Sequence, residues 1–198
     1  MKKKESTLIN MVAALLLITL IAGFSLGFVN ELTLEPIAKS KLDQKVNALK
    51  LVLPVFDNNP VAAMILLKVE NIKDSIEVYP AFLNNEFVGA AIIGTSEKGF
   101  SGLIKLIIGF KPDGTIQNIA VLEQKETPGL GTKIKDAAFI NQYKDKNLTV
   151  FNAKVKKDGG EIDALTGATI TTRAFSEATQ MAFDVFEKNK AVITTSKN

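Results

Sequence analysis

The stretch that decides the fold is Asp163-Ala164-Leu165-Thr166-Gly167-Ala168-Thr169, followed by Ile170-Thr171-Thr172-Arg173. Thr166, Gly167 and Ala168 are small, so a bulky ligand can approach the backbone closely. Thr169 supplies a hydroxyl. Behind it Phe175, Ala178, Met181, Ala182, Val185 and Phe186 recur at spacings of three and four, which predicts an amphipathic helix. A helix start exposes unpaired N–H groups and the positive end of the helix dipole, a setting that favours an anion such as phosphate. Two readings follow: a turn that binds a phosphate or carries one covalently, or an ordinary loop with an N-cap.

Two loops upstream have related chemistry. Lys125-Glu126-Thr127-Pro128-Gly129-Leu130-Gly131-Thr132-Lys133 turns at Pro128-Gly129 and again near Gly131. It offers backbone N–H groups, threonine hydroxyls and Leu130, a composition suited to an aromatic ring with a polar edge. A plain hairpin exit fits the same residues. It is not a phosphate-binding Walker loop, because the Gly-Lys-Ser/Thr ending is missing. In Gly99-Phe100-Ser101-Gly102, Phe100 can contact a ring while Ser101 binds its polar edge; alternatively the loop joins two strands and Phe100 is buried.

Between these loops the pattern is one of strands. Ile76–Phe82, Glu86–Gly94, Leu103–Phe110, Thr115–Glu123 and Leu148–Val155 read as strands, and Pro112-Asp113-Gly114 closes a hairpin. Asp136–Lys144 reads as a short helix, and Thr194–Asn198 as a frayed tail. Hairpins without regular strand–helix alternation predict an α+β domain with a mainly antiparallel sheet and flanking helices.

The N-terminal part differs in kind. Residues 1–6 form a basic tip that is expected to stay cytoplasmic, and residues 7–30 carry no charge. The apolar run Leu8–Val29 would cover roughly 33 Å as a helix, about the thickness of a bilayer core. A signal peptide's apolar region is shorter, about 7–15 residues, so a retained transmembrane anchor is expected. Gly23 and Gly27 give it a small-residue face, either for another membrane helix or simply because glycine is frequent in such helices. Residues 31–54 read as a helical stalk interrupted at Pro36, or equally as the first helix of the domain. Residues 55–198 form the expected extracytoplasmic domain.

Composition narrows the chemistry. The 198-residue chain has no cysteine and no histidine, so it ligates no iron–sulfur cluster through thiolates and lacks the commonest general base. Redox chemistry here belongs to an organic cofactor. A net charge of +3, nearly all from dispersed lysines, does not suggest nucleic acid binding.

Asp163–Thr169 matches the pattern Asp-x-x-Ser/Thr-Gly-Ala-Thr of proteins that carry FMN on a threonine. Together with Glu126–Gly131, the Gly99–Gly102 loop and one anchor, the chain resembles the G subunits of bacterial Rnf complexes, over most of its length. The C subunits of sodium-pumping Nqr complexes share both main motifs but are generally longer. The resemblance implies FMN esterified to Thr169 by a separate flavin transferase that uses FAD and Mg²⁺. It further implies that Asp163 is read by that transferase and that Thr166, Gly167 and Ala168 line the attachment site. Glu126, Thr127, Leu130 and Gly131 match the loop that packs on the isoalloxazine. As an extension, Thr171 and Arg173 pair with the phosphate; a solvated Arg173 fits as well. No residue is expected to act as an acid, base, nucleophile or metal ligand. The implied function is electron transfer between other subunits of a membrane-bound, ion-translocating ferredoxin:NAD⁺ oxidoreductase. The alternatives are an Nqr C subunit, a stand-alone flavoprotein reductase and a non-catalytic anchored scaffold.

Overall fold

The structure, a computed structural model, describes residues 7–68 and 75–196. The expected basic tip lies outside them, as do Lys197 and Asn198. The chain divides into two units between Asp43 and Gln44.

The first unit is helical. Helix α1 spans Leu8–Val52 and is long and apolar enough to cross a membrane. The hydroxyls of Thr19 and Thr33 donate back to the carbonyls of Leu15 and Val29, which removes their polar cost in an apolar setting. The expected break at Pro36 does not occur: the helix continues through it. Proline removes one N–H and crowds the preceding turn, but it does not end a helix whose flanking turns form on both sides.

The second unit is an α+β domain. Its sheet is an antiparallel meander of β1 (Ile65–Leu67), β2 (Ile76–Leu83), β3 (Glu86–Gly99), β4 (Gly102–Phe110) and β5 (Ile116–Glu123), in that order. The Pro112-Asp113-Gly114 turn joins β4 to β5 as expected. Gly114 adopts φ +87 and the Thr115 N–H donates to Asp113 Oδ1 at 2.9 Å. Helix α3 (Thr169–Thr195) covers one sheet face, where Phe175, Ala178, Ala182 and Phe186 pack on Ile92, Ile104, Leu106 and Ile108. The other face packs against the end of α1: Ala48, Leu49 and Val52 meet Tyr79, Ala91, Ile93 and Ile107. Of the two readings of residues 31–54, the first helix of the domain therefore holds for these last turns. Because both faces are covered, the strands lack the apolar–polar alternation of a half-exposed sheet.

Three expectations need correction. Leu148–Val155 is not a strand. The Asn147 carboxamide accepts the Thr149 N–H at 3.0 Å and closes a turn, Val150 is 86 % exposed, and only Val155 forms a bridge, with Ile162. The expected helix Asp136–Lys144 shrinks to α2, Ala137–Ile140, after which the turns tighten and Asp145 takes φ +59. The C-terminal segment is not frayed as far as Thr195: α3 extends that far because Ile193 is fully buried.

Candidate functional site

Thr169 is the first residue of α3. Ala168 is the N-cap residue, and no side chain caps the helix. No threonine of the turn therefore serves as a side-chain cap. The Thr169 hydroxyl has no hydrogen-bond partner among the described residues, and the same is true of the N–H groups of Thr169, Ile170 and Thr171. The first backbone bond of the helix comes from the Thr172 N–H to Ala168 C=O, 3.0 Å. A free hydroxyl and three free N–H donors thus stand at the positive end of a helix of 27 residues.

The preceding turn is held in place. Gly167 adopts φ +76, where a side chain is strained, and a Cβ there would lie 3.3 Å from Leu130 Cδ2. The buried Thr172 hydroxyl accepts the Leu165 N–H at 3.1 Å and donates to Ala168 C=O at 3.0 Å. The Gln142 carboxamide brackets Asp163, accepting its N–H at 2.7 Å and donating to its C=O at 3.3 Å. Sequence reasoning identified neither Gln142 nor Thr172 as a support. Gln142 lies 21 residues from Asp163 in the chain, and no local pattern signals so distant a partner.

All three loops meet at one groove of about 530 Å³, lined by Phe100, Glu126, Thr127, Leu130, Gly131, the Gly167–Ala168 turn and the first residues of α3, Thr169 to Thr171. Its size lies within the usual range of cofactor sites. Phe100 sits at the tip of the β3–β4 hairpin, where Gly99 pairs with Gly102, and is 67 % exposed. The alternative of a buried Phe100 is therefore wrong. Phe100, Leu130 and Ile170 present apolar surface around the groove. Glu126, only 4 % exposed, joins the loops: Oε1 accepts the Ser101 N–H at 3.0 Å and Oε2 accepts the Thr171 O–H at 2.7 Å. Ser101 thus contributes its backbone N–H, and its side chain does not line the groove. The Thr171 hydroxyl is directed to Glu126, which corrects its expected role as a phosphate partner; its N–H remains free.

On the other side of Gly167 and Thr169 lies a cavity of about 340 Å³ with Lys156, Lys157, Asp163, Ala164, Leu165 and Thr166. Asp163 is exposed there and pairs with Lys156 at 2.7 Å. The exposed Thr166 hydroxyl lines the same side. These two lysines are cations beside Thr169 that the sequence reading passed over, since isolated surface lysines carry no spacing signal.

Arg173 does not take part. It is held by Asp158, Nε to Oδ2 and NH2 to Oδ1, both 2.7 Å. This pairing holds the Asp158 carboxyl below its usual range and raises the Arg173 guanidinium. Both residues border a separate cavity of about 630 Å³ that excludes Thr169 and the two upstream loops. There burial works against the charge on Glu177, but hydrogen bonds from Lys98 and Ser96 prevail and keep its carboxyl low. Two ion pairs, Arg173–Asp158 and Lys98–Glu177, thus lie at the larger cavity, whereas the smaller groove holds the unpaired donors.

All three loops lie within the stretch that a known family matches. The sequence model of the FMN-binding domain matches residues 99–184, from the Phe100 hairpin through most of α3. The G subunit of the ion-translocating oxidoreductase complex of Vibrio atlanticus is 34 % identical over 92 % of this chain and 94 % of its own length. The protein of the same name from Aliivibrio fischeri is 35 % identical over 83 % of each chain. Among solved structures, the C subunit of the Na⁺-translocating NADH-quinone reductase from Parabacteroides distasonis superposes with a TM-score of 0.53. It covers 83 % of this chain and 98 % of that one at 21 % identity, a likeness of fold.

Proposed function

The chain belongs to the family of G subunits of ion-translocating oxidoreductase complexes, the Rnf complexes, and from this we propose that it carries FMN on Thr169 as an electron-transfer subunit. The observation that carries this reading is the Thr169 hydroxyl, without a hydrogen-bond partner among the described residues, at the edge of a groove walled by three loops.

The residues present fit such a group. The free N–H groups of Thr169, Ile170 and Thr171 can bind phosphate oxygens, and the helix dipole favours their charge. On the Asp163 side Lys157 adds positive charge, while the charge of Lys156 is offset by its pair with Asp163. Leu130 and Phe100 offer apolar surface to a ring, while Gly131 and Gly167 keep the groove floor free of side chains. In attachment, Thr169 Oγ bonds to the FMN phosphorus of FAD, the pyrophosphate bond breaks, the hydroxyl proton leaves and AMP departs. A separate flavin transferase with Mg²⁺ catalyses this step, guided by Asp163, whose exposed carboxylate is accessible to a second protein. When bound, the flavin accepts and donates electrons. The chain itself binds, orients and shields; it supplies no acid or base. A covalent link keeps the group at high effective concentration outside the cytoplasm.

A flavin held there would relay electrons between other subunits of the complex, on the route between ferredoxin and NAD⁺ that is coupled to Na⁺ or H⁺ movement. α1 anchors the chain, with its N-terminus cytoplasmic and the domain on the outer side. The shared fold keeps an Nqr C role as the second reading; identity over nearly the whole chain favours the Rnf G role.

The test is intact mass with peptide mapping after co-expression with a flavin transferase. The expected gain is one FMN less one water on the peptide containing Thr169, and none in Thr169→Ala. An unmodified wild-type mass, in cells that flavinylate a control protein, overturns the proposal.

A further inference from the structure

Glu126 is the buried carboxylate of the groove, and nothing in the attachment chemistry uses it. Both of its oxygens act as acceptors, for a peptide N–H and for a hydroxyl, which is the pattern of an ionised carboxylate. None of the ion pairs among the described residues includes it. The groups that stabilise it are the Ser101 N–H, the Thr171 O–H and the positive end of α3. A buried charge without a counter-ion is costly, yet space is kept for this one. A Cβ on Gly131 would meet Glu126 Oε2 at 2.8 Å, and a Cβ on Gly99 would meet Oε1 at 2.7 Å.

We infer that Glu126 is a positioning residue with a second role: it ties the hairpin tip, its own loop and α3 together, and it fixes a negative charge against the groove that lowers the reduction potential of a flavin there. The inference rests on the flavin reading of the groove. Its physical basis is simple. Reduction adds negative charge to the flavin, and a carboxylate in a poorly screened site opposes that charge. The two hydrogen-bond donors reduce this opposition but do not cancel it.

Two near-isosteric substitutions separate the charge from the tie. In Glu126→Gln the amide oxygen can still accept the Ser101 N–H, and its NH₂ can donate to Thr171 Oγ, so the tie persists while the charge is lost. In Thr171→Val the charge persists but loses one donor. The experiment is a spectroelectrochemical titration of full-length, flavinylated protein in detergent, with the stoichiometry of the ester checked by mass. Glu126→Gln is expected to shift the midpoint potential in the positive direction, and Thr171→Val to shift it negative. An unshifted potential in fully loaded Glu126→Gln overturns the inference. So do positive shifts of equal size in both variants, since loosened loops rather than charge would then be the cause. Should Glu126→Gln resist loading, Thr171→Val decides alone: a negative shift supports the charge, and any other result removes it. Failure of the flavin reading itself shows separately, as wild-type protein without flavin.

Discussion

Thr172 shows how much of the site depends on residues that never face it. Among the described residues its hydroxyl is the only side-chain group that bonds the Leu165–Ala168 turn to α3, through two hydrogen bonds in a buried setting. Thr172→Val keeps the shape and leaves the Leu165 N–H without its partner, at a cost of about 1–3 kcal/mol. The melting temperature should fall by several degrees and the fraction flavinylated should drop, as read by mass. Gly167→Ala tests the same turn by another route. At φ +76 an alanine is strained by roughly 1–2 kcal/mol, and its Cβ would press on Leu130. Loading should decline more than stability does, because the strain falls at the proposed attachment turn. At this scale the sequence singled out Thr169 and the loops, which the fold gathers at one groove, but it misplaced the polar partners. Arg173 and Thr171 looked available for phosphate because their partners, Asp158 and Glu126, lie 15 and 45 residues away. Hydroxyl and guanidinium groups are claimed by whatever the fold brings near, and no local spacing records that.

The elements were legible where a turn or a periodicity marked them. The β4–β5 hairpin follows from Pro112-Asp113-Gly114, and α3 from its apolar stripe. Leu148–Val155 has the composition of a strand, but it lies outside the β1–β5 sheet, and Asn147 offers its backbone a turn instead. Two glycines in the strands were unreadable for a related reason. A Cβ on Gly94 would lie 2.2 Å from Ala178 C=O, and one on Gly109 would lie 1.9 Å from Val52 C=O. They are the points where α3 and the end of α1 approach opposite faces of the sheet, and in sequence they only appear to weaken a strand. Each clash is with backbone, so neither can be relieved by a rotamer change. Gly94→Ala and Gly109→Ala should each destabilise the domain by about 1–3 kcal/mol or more, measured by urea unfolding. Gly94→Ala should also impair flavinylation, since it displaces the helix that carries Thr169, while Gly109→Ala should leave loading of the folded fraction intact.

At the scale of the molecule, both packed clusters lie within residues 48–193, and the unit that contains them begins at Gln44. A chain of residues 44–198 should therefore fold as a soluble domain with one cooperative melt, and its pH dependence can be read without detergent. Glu77, Asp113, Asp145, Asp158 and Glu177 all have carboxyls below their ordinary values. Burial opposes the charge on Glu77, but hydrogen bonds from Lys45 and Tyr79 outweigh it; Arg173 lowers Asp158, and Lys111 lowers Asp145. A lowered carboxyl means that the unfolded chain binds protons first as the pH falls. The stability these groups add is complete above the ordinary carboxylate range of about 4, and it is lost as the pH drops through their folded values. The melting temperature of the 44–198 domain should thus be flat from neutral pH to about 5 and decline below it. Added salt should reduce the decline, since the Asp145–Lys111 and Asp158–Arg173 pairs lie at the surface and are screened. Lys45→Met should make the acid decline shallower at low salt as well, because Glu77 would lose the cation that holds its carboxyl down. A decline of unchanged steepness in Lys45→Met would mean that the acid sensitivity comes from the other four carboxylates.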